Sequence, residues 1–122
     1  MPKKESFIAN RIKSVSFALR GALLLIRTEA SIKVQFFIGL LMTAVGFYFE
    51  ISRTEWIVQI FAIALVIGIE GMNTAVEKEA DFIQPKFDPK IGFIKDISAG
   101  AVMLVSIAAV LVGLIIYLPK IF

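Results

Sequence analysis

Three long stretches of the chain are almost wholly apolar. The first runs from Ala30 to Phe49, interrupted near its start by Lys33 and Gln35. The second begins near Glu55 and is bare of polar side chains from Ile60 to Ile69; the third, Ile97 to Leu118, carries no charge. A helix of roughly 20 residues crosses the ~30 Å hydrocarbon core of a bilayer, and each stretch is that long. Residues 6–27 follow a different rule. Ile8, Ile12, Val15, Leu19, Ala22, Leu23 and Ile26 recur at helical spacing on one face, and Lys13, Arg20 and Arg27 share its flank. This pattern predicts an amphipathic helix lying in the membrane interface with its basic residues toward headgroups. The alternative is a soluble helix packed on a partner.

The predicted fold class is therefore an all-α membrane protein, one domain over 1–122. It has an interfacial helix at 6–27 and spans at 30–49, 55–80 and 93–118, the second extending past the membrane and the last stopped by Pro119. Between the second and third spans, FIQPKFDPKIG holds two prolines and a glycine and should reverse the chain, with Asp88 before Pro89 as a helix cap. No internal repeat or low-complexity tract is present.

Composition makes the membrane assignment firm. Of the 122 residues 58% are hydrophobic, above the usual ~45–50%. So small a domain buries only about two-thirds of its own surface, so the bilayer must cover the rest. Cysteine and histidine are both absent, which excludes disulfides, thiolate nucleophiles, zinc fingers and histidine bases. A net charge of +3 is too small to suggest nucleic acid. Its distribution says more. Lys3, Lys4, Arg11, Lys13, Arg20, Arg27 and Lys33 precede or open the first span, and Lys78, Lys86, Lys90 and Lys95 lie between the second and third. Only Arg53 and Lys120 fall on the other side. The positive-inside bias then puts the N-terminus and the 78–95 connection in the cytoplasm, with Tyr48, Trp56 and Tyr117 near the outer interface. MPKKESFIANRIK has no short apolar core ending in small residues, so no removable signal peptide is expected.

The candidate chemistry lies where the second span ends, at EGMNTAVEKEAD, residues 70–81. Glu70, Asn73, Glu77 and Asp81 fall within an arc of about 80° on a helix, a ladder of three carboxylates and an amide; Glu79 points away. Carboxylates at membrane depth are costly unless compensated. One solution is structural, salt bridges to Lys95 or Arg20. The other is functional, neutralisation by cations, and oxygen donors without His or Cys favour Mg²⁺. Glu29 at the mouth of the first span and Lys95-Asp96 at that of the third come to the same depth. A lysine beside metal-binding carboxylates suits phosphoryl transfer: ion and ammonium neutralise phosphate oxygens while a free carboxylate accepts a hydroxyl proton. No GxxxxGK[ST] occurs, so a P-loop is excluded.

The strings EGMNTAVE (70–77) and KDISAGAV (95–102), with Arg20-Gly21 and Glu29 upstream, resemble the small prokaryotic diacylglycerol kinase family, which includes undecaprenol kinases. The resemblance covers nearly the whole chain. It implies a homotrimeric enzyme of the bacterial cytoplasmic membrane, with sites shared between subunits, that passes the γ-phosphate of ATP to a membrane lipid alcohol. Diacylglycerol is the expected acceptor and undecaprenol the alternative. By the same resemblance Glu70 is the general base, and Glu29 and Glu77 hold the divalent ions on ATP. Asn73, Lys95, Asp96, Asp81 and Arg20 belong to the nucleotide and substrate site. The chain departs from the family pattern after Glu29: Ser31 stands where the Gram-positive type tends to carry Asn, and Gln35 matches neither its His nor the Glu of the diacylglycerol type. Two other classes compete. A small ion-coupled transporter predicts polar residues through the depth of the membrane, which the bare mid-spans lack. A non-catalytic assembly factor makes no use of Lys95 and Asp96.

Overall fold

The computed structural model describes residues 6–122 and consists of four helices: α1 (Phe7–Thr28), α2 (Ala30–Tyr48), α3 (Arg53–Ile83) and α4 (Pro89–Ile121). There is no strand among the described residues. Lys3 and Lys4 of the basic N-terminus lie outside them. Helices α2, α3 and α4 are each long and apolar enough to cross a membrane. Their lengths differ in a useful way. At ~1.5 Å per residue α2 is about 28 Å long, a bilayer's thickness, whereas α3 and α4 are about 46 and 50 Å. Both long helices therefore overrun the hydrocarbon, and the overrun of α3 carries the polar ladder.

Local chemistry sets the helix ends. The Ser6 hydroxyl caps α1 by accepting the Ala9 N–H at 3.1 Å. Ser52 and Glu55 form a reciprocal capping box on α3, the Glu55 N–H donating to Ser52 Oγ and the Ser52 N–H to Glu55 Oε1. Asp88 caps α4 as expected, accepting the Lys90 N–H at 2.8 Å with Pro89 in the first turn. One expectation fails. Pro119 does not stop the last span, and α4 runs through it to Ile121. A proline so near the end forfeits a single ladder bond, and the Phe122 N–H still reaches the Leu118 carbonyl at 3.0 Å.

Helices α2 and α3 form a tight hairpin. Residues 49–52 close it through a Schellman motif, in which the Ile51 N–H donates to the Gly46 carbonyl and the Glu50 N–H to that of Phe47. Glu50 takes the left-handed conformation, φ 50°. Close approach is enforced by two glycines of α2. A Cβ on Gly39 would meet Ile63 at 2.9 Å, and one on Gly46 would meet the Trp56 ring at 2.7 Å. Gly68 and Gly113, by contrast, face open space within this chain. Ile51, Ile116 and Tyr117 form the buried core at this end, with Met42, Val45, Phe49, Trp56 and Val112 against it.

Helix α1 differs from the others. No residue of it is buried, and the apolar row Ile8, Ile12, Val15, Leu19 and Leu23 is exposed along its length. Its C-terminal end is anchored, for Leu25 Cδ1 lies 3.1 Å from where a Cβ on Gly71 of α3 would sit.

Candidate active site

The site is built outward from α3. Glu70, one turn beyond the buried Val66, is itself only 9% exposed. Its carboxylate makes no hydrogen bond or ion pair with any described residue. Its backbone is secured, because the Thr74 hydroxyl donates to the Glu70 carbonyl at 3.1 Å. A turn further, the Asn73 amide Nδ2 donates to Glu77 Oε1 at 3.0 Å, as an i,i+4 pair on one helix face can. That bond leaves the Asn73 carbonyl oxygen buried with no partner. Buried polar atoms are nearly always paired, so an orphan beside an unpaired carboxylate makes this turn the candidate for a binding site.

Two other helices contribute. Residue 29 breaks the run between α1 and α2, with extended backbone (φ −102°, ψ 117°). A carboxylate at a helix N-cap ordinarily accepts N–H groups of the first turn. Glu29 makes no such bond; its Oε1 lies 3.2 Å from the ammonium of Lys78 on α3. The break thus aims Glu29 across the bundle at the turn that carries Glu77. From α4, Lys95 Nζ donates to Asp81 Oδ1 at 2.5 Å. This is the salt bridge that a purely structural ladder would make. It neutralises the last rung only, and Glu70 stays unpaired.

The structure therefore places Glu70, Asn73, Glu77 and Asp81 along α3, with Lys95 of α4 at Asp81 and Glu29 at Lys78. It leaves two predicted residues aside. Asp96 is exposed and pairs with no described residue. Arg20 lies on the exposed α1, its guanidinium 5.8 Å from the centre of the Phe17 ring. Sequence reasoning passes over Lys78 as an ordinary connection charge. Its partner is far away in the chain, so no local spacing announces the pair.

Among the described residues no three His, Cys, Asp or Glu side chains come close enough to enclose a metal ion. The donors present suit a different kind of site. Mg²⁺ on a nucleotide typically takes one or two carboxylates and leaves its other positions to phosphate and water. Glu29 and Glu77, both oxygen donors of the same polar end, fit that requirement.

Known proteins resemble the chain along most of its length. The family described as prokaryotic diacylglycerol kinase matches residues 16–117. An undecaprenol kinase of Bacillus subtilis is 33% identical over 108 residues, 88% of this chain and 88% of the relative. Diacylglycerol kinases of Synechocystis and Haemophilus influenzae are 28% and 25% identical, over 90% and 92% of this chain and 63% and 92% of theirs. The matched segment spans everything from the middle of α1 to Tyr117, including the whole polar end of α3; the chain belongs to the prokaryotic diacylglycerol kinase family.

Proposed function

We propose that the protein is a lipid kinase of the cytoplasmic membrane, transferring the γ-phosphate of ATP to the hydroxyl of a membrane lipid alcohol. The observation that carries this is Glu70, a buried carboxylate left unpaired at the end of an apolar span, one turn from a polar ladder. A lipid hydroxyl arrives there without leaving the bilayer, and a soluble nucleotide reaches Glu77, Asp81 and Lys95 from water. The lipid oxygen attacks the γ-phosphorus, the bond from that phosphorus to the β–γ bridging oxygen breaks, and Glu70 takes the hydroxyl proton. Holding both substrates in one complex contributes several kcal/mol to the rate, on the order of the gains seen for well-oriented intramolecular reactions. Glu29 and Glu77 would hold Mg²⁺, which when bound supplies charge neutralisation on the phosphate oxygens. Lys95 adds a fixed positive charge, and the orphaned Asn73 oxygen accepts from substrate or bound water.

A cavity of about 430 Å³ between α2, α3 and α4 supports the lipid half of this reading. Val66, one turn from Glu70, lines its wall with Gln35, Met42, Ser106 and Tyr117, so it offers an apolar berth for a hydrocarbon tail whose head lies at Glu70. Helix α1, apolar row outward, lies in the interface on the same side. The basic residues of that end, from Arg11 to Lys33 and from Lys78 to Lys95, face the cytoplasm. Arg20 and Asp96, without acidic or basic partners among the described residues, are met by a neighbouring subunit of a homotrimer.

Diacylglycerol is the family's name-giving acceptor. Undecaprenol is favoured by a specific observation: the Bacillus relative bearing that name is more similar to this chain than the diacylglycerol kinases of Synechocystis and Haemophilus. The test is direct. Purified protein in mixed micelles with Mg-ATP is offered each lipid separately and the phosphorylated lipid is resolved by chromatography. Product is expected with at least one lipid, faster with undecaprenol. Phosphorylation of neither would overturn the kinase reading.

A further inference from the structure

Lys78 has no assigned role, yet it occupies a position of consequence. Its Nζ lies 3.2 Å from Glu29 Oε1 while its side chain is 70% exposed. Glu29 is only a quarter exposed and makes no cap bond, so Lys78 is its sole described partner. The ammonium thus stands on the carboxylate proposed to receive the divalent cation. Two positive centres on one carboxylate repel each other, and Lys78 is the one free to move, a point charge on a flexible four-carbon stem. Glu77, the other residue proposed to hold the ion, is its neighbour in the chain, so phosphates bound there would lie on the same helical turn as the released ammonium.

The geometry points to Lys78 as a phosphate-binding residue held in reserve: it pairs with Glu29 in the nucleotide-free protein and passes to a phosphate oxygen when nucleotide binds. This rests on the kinase reading and deepens it. The exchange gives Lys78 opposite effects on two equilibria. It opposes a bare divalent cation at Glu29, because the ammonium already neutralises that carboxylate and repels a second positive charge. It favours the cation–nucleotide complex, because the displaced ammonium gains a phosphate. It also keeps Glu29 neutralised until cation and nucleotide arrive together.

Lys78→Met and Lys78→Arg in detergent micelles test this by binding. Bare Mn²⁺ is titrated onto nucleotide-free protein by electron paramagnetic resonance, and a non-hydrolysable ATP analogue with Mg²⁺ by calorimetry. Lys78→Met is expected to bind bare Mn²⁺ about two- to fivefold more tightly, the range of a surface ion pair. The same variant should bind the analogue about tenfold more weakly, as loss of a charged hydrogen bond predicts. Lys78→Arg keeps the charge and should stay within about twofold of the parent in both. Weakening of both equilibria together would make Lys78 a mere tether between α3 and the α1–α2 break, and no change in either would make it an idle surface pair; both results overturn the inference. The kinase reading fails separately, if the parent protein binds the analogue but phosphorylates no lipid alcohol.

Discussion

The two ends of the bundle treat their polar groups in opposite ways. At the Tyr117 end every buried polar side chain among the described residues is spoken for. Gln59 on α3 donates from Nε2 to the Met42 carbonyl of α2 at 3.0 Å and accepts the Tyr117 hydroxyl of α4 at 2.5 Å, so one side chain ties three helices. Just outside, Lys120 Nζ bonds Glu55 Oε2 at 2.8 Å and the Ile116 carbonyl at 3.2 Å. At the Glu70 end the pairing is incomplete: a buried carboxylate and a buried amide oxygen have no partners among the described residues. Away from water an unmet polar group costs several kcal/mol, so such groups are normally completed by water, an ion, a ligand or a neighbouring chain. On the proposed reading the closed end is scaffold and the open end is site.

If that division is right, removing a polar group should cost stability at one end and turnover at the other. Glu70→Gln is the strongest test. The amide fills the same space but accepts no proton, and loss of a general base lowers kcat by about 10²- to 10⁴-fold. Because no ion pair is broken, the unfolding midpoint followed by Trp56 fluorescence should stay put or rise. Equal turnover, or loss of activity matched by loss of fold, would erase the distinction between the ends.

Changes at the closed end should do the reverse. Gly46→Ala puts a methyl 2.7 Å from the Trp56 ring, which must shift, and such overpacking costs about 1–3 kcal/mol. Turnover per folded molecule should hold. Gln59→Leu strands the Tyr117 hydroxyl in the core, and an unsatisfied buried group of this kind costs about 1–3 kcal/mol. Adding Tyr117→Phe should recover most of that loss, since two apolar partners leave nothing unmet. Additive losses in the double variant would mean that the bond is not what couples α3 to α4.

The open end is the more legible in the sequence and the closed end the less. Spans show because an unbroken apolar run of roughly twenty residues suits a bilayer and little else. The ladder shows because Glu70, Asn73, Glu77 and Asp81 keep helical spacing where the hydrophobic run ends. The contacts that shape the hairpin do not show in this way. Gly39 and Gly46 look no different from Gly68 and Gly113, yet only the first pair meets a neighbouring helix. Which face of a glycine is crowded depends on helix rotation, which a uniformly apolar span does not reveal. The Glu29–Lys78 and Gln59–Tyr117 pairs are hidden for a related reason, since each joins residues that only the folded topology makes neighbours. The Ser52–Glu55 capping box carries a local signal, Ser-x-x-Glu before an apolar run, and it starts α3 two residues before the predicted span.

The smallest predicted effect concerns the hinge of the closed end, where two terms nearly cancel. Glu50 sits at the left-handed position of the Schellman motif, φ 50°, which favours glycine. Holding an L-residue there costs about 1–2 kcal/mol. Glycine would relieve that strain, but it also loosens the unfolded chain, returning about 0.4–1 kcal/mol. Glu50→Gly should therefore stabilise by about 0.5 kcal/mol, a rise of a few degrees in midpoint at most for a chain of this size. Glu50→Val, with a branch at a position that tolerates none, should lower the midpoint instead. Neither should change turnover, because the turn lies at the opposite end of α3 from Glu70. A change in turnover with either variant would show that the hinge angle between α2 and α3 reaches the site, since Glu29 is carried on one of these helices and Glu70 on the other.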